Sequence, residues 1–348
     1  MVGVMALLWV AAPACGGDQP ALPVSAAPSQ RSHGELVVNR LIYGSSPKRA
    51  LVRIRLSGKR TVLQTSPAEP VLDRSSWSPD GRAIVFTAHE RPQGGSEPSD
   101  GTDLYVIRTD GRRVRRLTHL KAASDPLWAP DGRSIVFSLT RRSVGGTASR
   151  HLMRIGVDGQ GLVQVTAPVE NQADQAGSFT GDGTRLAFTR WRVAAMTQQV
   201  PLASPASIRL LELSTSREQI LVRRGQDPAF SPDGSRLAFV SDRSRNGQIL
   251  IGESELYANE LYLANADASG IRRATRTQDR NERYPAWSPD GRRLAYQRGE
   301  TTGRAESAVV ILSDPTGKRH RTLLADPDRS PSFTAPVWRP TGRVRHER

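Results

Sequence analysis

Cysteine is almost missing from this chain: Cys15 is the only one in 348 residues. One thiol excludes an intramolecular disulfide framework and any zinc site built on several cysteines. Aromatic residues are scarce at 5%, and lysine is scarcer, with four of the 49 basic residues. The net charge of +15 is therefore carried by arginine. Those arginines are scattered, without a long basic run or interleaved aromatics, which speaks against a nucleic-acid surface. The six histidines are dispersed and show no HExxH spacing. No GxSxG elbow, P-loop or GxGxxG follows a strand. No catalytic residue, metal or cofactor is expected, and the chain reads as a non-enzyme. One segment, Asp242-Arg243-Ser244-Arg245-Asn246-Gly247 with Glu253, has the spacing of a calcium loop. Two arginines inside a dication site oppose that reading.

Long hydrophobic runs are also lacking. The one apolar stretch, Val4 to Ala12, is too short to span a bilayer and reads as the core of a signal peptide over residues 1–14. It leads into Ala12-Pro13-Ala14-Cys15-Gly16-Gly17, which resembles a bacterial lipoprotein lipobox. The resemblance implies export, a lipid on Cys15, and membrane contact through that anchor only. Residues 15–34 are rich in Pro, Ala, Gly and Ser, as a flexible tether is.

What the sequence has is a repeat. Trp77-Ser78-Pro79-Asp80-Gly81 returns as Trp128-Ala129-Pro130-Asp131-Gly132. It decays to Phe179-Thr180-Gly181-Asp182-Gly183, then recurs as Phe230-Ser231-Pro232-Asp233-Gly234 and Trp287-Ser288-Pro289-Asp290-Gly291. Trp338-Arg339-Pro340-Thr341-Gly342 is the last copy. The aromatics are spaced by 51, 51, 51, 57 and 51 residues. Proline presets φ, aspartate accepts a turn N–H, and glycine takes the left-handed conformation, so each copy predicts a hairpin turn. An apolar run follows each turn, as in Ile84-Val85-Phe86 and Leu237-Ala238-Phe239. A third strand, a second turn and a fourth strand such as Val114–Thr118 complete the unit. Four short strands per repeat of this length is the arithmetic of a β-propeller blade.

The WSPDG, LAF and DG…RRLT pattern resembles the TolB-type propeller repeat over residues 35–342. The resemblance implies an all-β, six-bladed propeller and protein partners. The polar tail after Gly342 is too short for three strands. The ring is therefore expected to close with one C-terminal strand and three N-terminal ones, from Asn39–Tyr43, Leu51–Arg55 and Thr61–Gln64. The propeller domain spans 35–348.

Turns alternate between the two faces of such a blade. The long second-to-third loops, 89–102, 140–150, 190–206, 242–259 and 298–307, share one face with the starts of the innermost strands. Long loops on a rigid scaffold carry function. Asp73, Asp125, Asp174, Asp227, Glu282, Arg283 and Tyr284 fall near that mouth. They are the candidate partner-binding residues, with the acids expected to be solvated and to receive a basic group. The function expected is a monomeric, non-catalytic binding scaffold at the cell envelope that receives a protein or peptide segment. The alternatives are an envelope polysaccharide lyase or hydrolase, and a glycan or ligand sensor.

Anchoring is testable at one atom. Cys15→Ala should move the protein from the membrane pellet to the soluble fraction. Unchanged pelleting without detergent would refute the anchor.

Overall fold

The structure, a computed structural model, describes residues 34–42, 48–63, 65, 68–90, 101–110, 113–142, 148–192, 206–245, 248–251, 254–278, 280–302, 305–325 and 335–341. These belong to the unit Ser32–Arg348. The signal segment, Cys15 and the tether to residue 33 lie outside the described residues. So do Asn246, Gly247 and Glu253 of the calcium-like loop. Among the described residues the regular elements are strands, and no helix is long and apolar enough to cross a membrane.

The strands pair mainly with their sequence neighbours. β1 (Glu35–Ile42), β2 (Lys48–Arg55) and β3 (Arg60–Leu63) form an antiparallel meander. β4 (Ala68–Trp77), β5 (Ala83–Glu90), β6 (Asp103–Arg108) and β7 (Arg115–Arg116) form the next. β8 (Ala123–Trp128), β9 (Ser134–Arg142), β10 (Ala148–Gly156) and β11 (Val163–Gln164) follow. A parallel bridge, Arg150 to Ala173, joins them to β12 (Gln172–Phe179), β13 (Arg185–Arg192), β14 (Ser207–Glu212) and β15 (Glu218–Arg223). β16 (Gln226–Phe230) and β17 (Arg236–Ser241) then precede a separate hairpin, β18 (Gln248–Ile251) with β19 (Ser254–Tyr257). β20 (Glu260–Asn265) and β21 (Arg272–Arg273) complete that sheet. β22 (Arg280–Trp287), β23 (Leu294–Thr302), β24 (Ala305–Ser313) and β25 (His320–Ala325) form another. Finally β26 (Val337–Trp338) pairs with β1, Trp338 opposite Leu36 and Val337 opposite Val37. One four-stranded sheet, β26-β1-β2-β3, thus draws on both ends of the described chain.

The motif turns form as the sequence dictates. Ser78 N donates to the Ala83 carbonyl at 2.9 Å, and Gly81 N to Ser78 O at 2.8 Å. Asp80 Oδ1 accepts Arg82 N at 2.9 Å, and Gly81 sits at φ +67°. The decayed third copy keeps the same bonds, Thr180 N to Arg185 O and Gly183 N to Thr180 O. Its aspartate and glycine suffice without the proline.

Two expectations need correction. The fourth strand expected over Val114–Thr118 shrinks to Arg115–Arg116, because the Thr118 hydroxyl takes the Leu104 N–H at 3.0 Å. The 242–259 segment is not a plain loop, since it holds β18 and β19. The wider 57-residue spacing of the repeat spans this hairpin.

The apolar runs are explained by burial on both faces. Ile84, Val85 and Phe86 are all fully buried. Ile84 and Phe86 pack with Val37, Leu51 and Trp77 against the β1–β3 sheet. Val85, pointing the other way, packs with Ile135 and Phe137 of β9. The same division recurs one repeat on: Ile135 and Phe137 face back, and Val136 faces forward to Leu186 and Phe188. A period-2 strand between two neighbours must be apolar at every position.

Consecutive sheets are also joined by hydrogen bonds at the motif aromatic. Trp77 Nε1 donates to Val337 O at 3.1 Å, Trp287 Nε1 to Ala229 O at 3.1 Å, and Trp338 Nε1 to Ala286 O at 3.0 Å. In each case the acceptor immediately precedes the aromatic of the preceding sheet. Elsewhere the main chain does this work: Trp128 N donates to Ser76 Oγ at 3.0 Å and Phe230 N to Ser178 Oγ at 3.1 Å. The Trp128 indole N–H is buried without a partner.

That contrast predicts unequal costs. Trp287→Phe leaves a carbonyl without its donor and should cost about 1–3 kcal/mol beyond lost packing. Trp128→Phe should lose the packing alone. Urea unfolding of both variants checks this, and equal losses would rule out the indole bond as a stabilising contact.

Candidate functional site

The strands that end at the motif aromatics are β4, β8, β12, β16, β22 and β26. Five of them, all but the two-residue β26, carry a register shift in the segment before the motif aromatic. Three residues before that aromatic stand Arg74, Asp125, Ala176, Asp227 and Tyr284. Asp125, Asp227 and Tyr284 take positive φ, at 50°, 52° and 55°, each directly before a proline. Aspartate tolerates that region, whereas for tyrosine it is strained.

The acids converge, but they are not solvated. Asp125 is 3% exposed, Asp174 1%, and Asp227 and Glu282 0%. Each holds an arginine, which corrects the expectation of a solvated acidic mouth. Arg283 Nε donates to Asp227 Oδ2 at 2.7 Å, and Arg74 Nη2 lies 3.8 Å from Asp227 Oδ1. Arg190 grips Asp174 with two bonds of 2.7 and 2.8 Å. Arg150 reaches Asp125 at 3.3 Å, and Gln175 Nε2 donates to its other oxygen at 2.5 Å. Glu282 accepts Arg298 at 3.1 Å, Leu261 N at 2.9 Å and the hydroxyls of Thr277 and Thr275. It therefore ties β22 to β20. An unpaired buried carboxylate is costly, and these pairs relieve that cost.

Arg74 is the hub. From β4 it donates to Ala176 O on β12 at 2.7 Å, approaches Asp227 on β16, and lies 4.9 Å from the Tyr284 ring centre on β22. Arg283 stacks on the same ring at 4.7 Å. Burial pushes the Asp227 carboxyl up, but Arg283 and Arg74 outweigh it and hold it below its ordinary value. For Arg283, burial opposes the charge, and Asp227 more than restores it. Arg283 pulls the Tyr284 phenol down, while burial and the Asp227 and Asp125 charges push it up further.

Asp73 sits beside Asp125. It is partly buried on β4. Its Oδ2 accepts Asp125 N at 2.8 Å and the Thr87 hydroxyl at 2.9 Å, and its Oδ1 accepts Arg74 N at 2.7 Å. Burial, then the Asp125 carboxylate, pushes its pKa up to about 8. Among the described residues no group of three His, Cys, Asp or Glu could hold a metal ion.

The sequence reading named the acids, Arg283 and Tyr284, and the fold gathers Asp73, Asp125, Asp227, Arg283 and Tyr284. Asp174 and Glu282 are spent on pairs within or between neighbouring sheets. It missed Arg74, Arg150, Arg190, Arg298 and Gln175. Arg74 had a signal, because it occupies the motif position of Asp125 and Asp227.

No family model matches the chain. It is 32% identical over 169 residues to the uncharacterized peptidase YuxL of Bacillus subtilis, covering 48% of this chain and 21% of that protein. It is 24% identical over 273 residues to the Tol-Pal system protein TolB of Francisella tularensis, covering 76% of this chain and 53% of that protein. The chain thus spans about a fifth of the first relative and about half of the second. Among solved structures, TolB from Acinetobacter baumannii superposes with a TM-score of 0.64 at 16% identity, covering 88% of this chain and 67% of that one. A chain from Agrobacterium tumefaciens solved as a TolB gives 0.61 at 17% identity, covering 88% and 95%.

The proton at Asp73 makes a prediction with a definite sign. Between about pH 4 and 8 the folded chain holds a proton that the unfolded chain has released. The stability that this one proton contributes is therefore full below about pH 4 and is lost as pH rises through about 8. Asp73→Asn copies the protonated shape and should flatten that fall. Urea unfolding across this window should show wild type losing up to about 1.4 kcal/mol per pH unit relative to the variant. Parallel slopes would refute a protonated Asp73. With its geometry in place, the likeness to solved structures establishes the fold: this chain has an all-β, TolB-like propeller fold.

Proposed function

We propose that this chain is a non-catalytic binding scaffold of the bacterial cell envelope. It is a six-bladed propeller, closed by β26 with β1–β3, exported, and anchored by a lipid on Cys15. Sequence similarity to a Tol-Pal system protein over three quarters of the chain supports the envelope reading. The sheet that pairs Val337–Trp338 with β1 supports the closure, as do the indole bonds from Trp77 back to Val337 and from Trp338 back to Ala286.

The observation that carries the binding reading is how the axial charges are used. Asp125, Asp174, Asp227 and Glu282 are buried and committed to arginines. What remains accessible is the outer surface of those arginines: the Arg150 side chain is 36% exposed and that of Arg283 27%. In this reading Asp73, Asp125, Asp174, Asp227 and Glu282 position the cationic and aromatic side chains that a protein partner touches, Arg283 and Tyr284 foremost. The similarity to a peptidase covers a fifth of that protein, and a catalytic role would need groups beyond those paired here.

Photo-crosslinking in native membranes tests the reading. A crosslinker at the exposed Arg141, beside a second-to-third loop, should capture an envelope protein. The same group at Val62, 55% exposed on the outer strand β3, should not. Equal capture at both sites, or turnover of a peptide or polysaccharide by the purified chain, would overturn the proposal.

A further inference from the structure

A second feature, outside the axial cluster, lies at the opposite end of the strands. A cavity of about 1080 Å³ opens among the motif turns, between Pro79, Pro130, Pro232 and Pro340. It exceeds the usual range for small-ligand pockets, roughly 300–1,000 Å³. It runs down between the β8–β11 and β12–β15 sheets, where Val136, Val165, Phe179, Leu211 and Leu213 form an apolar floor. The site coincides with the decayed motif, where Phe179 replaces tryptophan and Gly181 replaces proline. Both changes remove side-chain volume from that wall.

The charges around it are unevenly committed. Asp131 accepts Arg133 N at 2.8 Å and Ser134 N at 3.3 Å within its own turn. Asp182 accepts Thr180 Oγ1 at 2.5 Å and Thr184 N at 3.1 Å within its turn. Arg133 and Arg154 line the same cavity and are exposed. Neither has an ion-pair partner among the described residues, unlike Arg150, Arg190, Arg283 and Arg298. Val163, 43% exposed on the two-residue strand β11, adds an apolar lip.

We propose that this turn-face cavity is a second recognition site, which takes an extended peptide carrying acidic and aliphatic side chains in alternation. The carboxylates meet Arg133 and Arg154, and an aliphatic side chain fills the floor between the two sheets. Guanidinium groups form strong, charge-assisted bonds to carboxylates. A floor of Val136, Val165, Leu211 and Leu213 offers no hydrogen-bond partner to sugar hydroxyls, so burying a glycan ring there would strand them. An aliphatic side chain has no such cost. The proposal does not rest on the partner-binding face above, since the cavity and that face lie at opposite ends of the strands.

The test uses the full chain and three fluorescein-labelled heptapeptides. The first is Gly-Asp-Leu-Glu-Val-Asp-Gly; the others replace its acids with Asn/Gln or with Lys. A short oligomer of galacturonic acid is the glycan arm. The acidic peptide should bind saturably, weaken as salt rises, and change the emission of Trp77 and Trp128 on the cavity wall. Arg133→Glu with Arg154→Glu should weaken it tenfold or more, and Val163→Asp severalfold. These positions are exposed, so the melting temperature should hold. The neutral and basic peptides should bind at least tenfold more weakly. Equal binding of the neutral peptide, unchanged affinity in the arginine variants, or no saturable peptide binding overturns the proposal. Displacement of the peptide by the galacturonate oligomer at lower concentration would reassign the cavity to glycans.

Discussion

The bond from a motif indole to the carbonyl of the preceding sheet is the contact on which the rest of the architecture hangs. A four-stranded sheet with two apolar faces is unstable alone, and its neighbours bury it on both sides. Burial sets which surfaces meet but leaves sliding free, because the hydrophobic effect is not directional. Trp77, Trp287 and Trp338 supply the direction. Each fixes its sheet against one carbonyl, and that carbonyl belongs to the residue before the motif aromatic of the preceding sheet. The repeat motif is thus both the hairpin turn within a sheet and the register mark between sheets.

The axial charges follow from that packing. Inner strands brought together around one line must place their polar side chains against each other with little water. Isolated carboxylates there would protonate or destabilise the fold. The chain answers Asp125, Asp174, Asp227 and Glu282 with Arg150, Arg190, Arg283 and Arg298. Arginine suits the task, because its planar fork bonds two acceptors and stays charged. Arg190 does this between Asp174 and Glu218 at 2.7 Å each. Asp73 lies against Asp125, whose main-chain N–H it accepts at 2.8 Å, and burial together with that neighbouring carboxylate pushes its pKa up to about 8.

The fold was legible where spacing repeats. The turns, the apolar second strands and the pairing of the C-terminal strand with the first N-terminal one all follow from a motif whose copies fix the phase. Less was legible where tertiary partners decide. The two-residue β7 could not be read from Val114–Thr118, since Thr118 gives up the ladder for a hydroxyl bond that only the folded chain makes. The acids were legible as a cluster, but not their burial. Sequence placed Asp125 and Asp227 near a mouth; only packing brings Arg74 of β4, eight strands before β12, onto Ala176 and Asp227. The hairpin β18–β19 escaped because it is inserted within one repeat, between β17 and β20, and only the longer spacing marked it.

Departures from the repeat therefore locate what is specific to this chain. At the start of the third strand, Asp103 binds Arg116 and Thr118, which lie 13 and 15 residues on. Glu260 binds Arg273, again 13 residues on, and Leu261 N is answered by Thr275. In the sheet between them His151 takes that place, with Gln164 for the arginine and Thr166 retained. His151 is 0% exposed, and both ring nitrogens lack partners. Burial, then Arg141, lowers its pKa against the opposing pull of Asp174. An acid and its arginine were thus exchanged together for two neutral groups, which leaves no unpaired charge behind. The same sheet and its successor carry the parallel bridge at Ala173, the decayed motif at Phe179 and the cavity between them. A repeat protein keeps its symmetry where packing demands it, so a run of coordinated exceptions in one interface marks where that packing demand is relaxed.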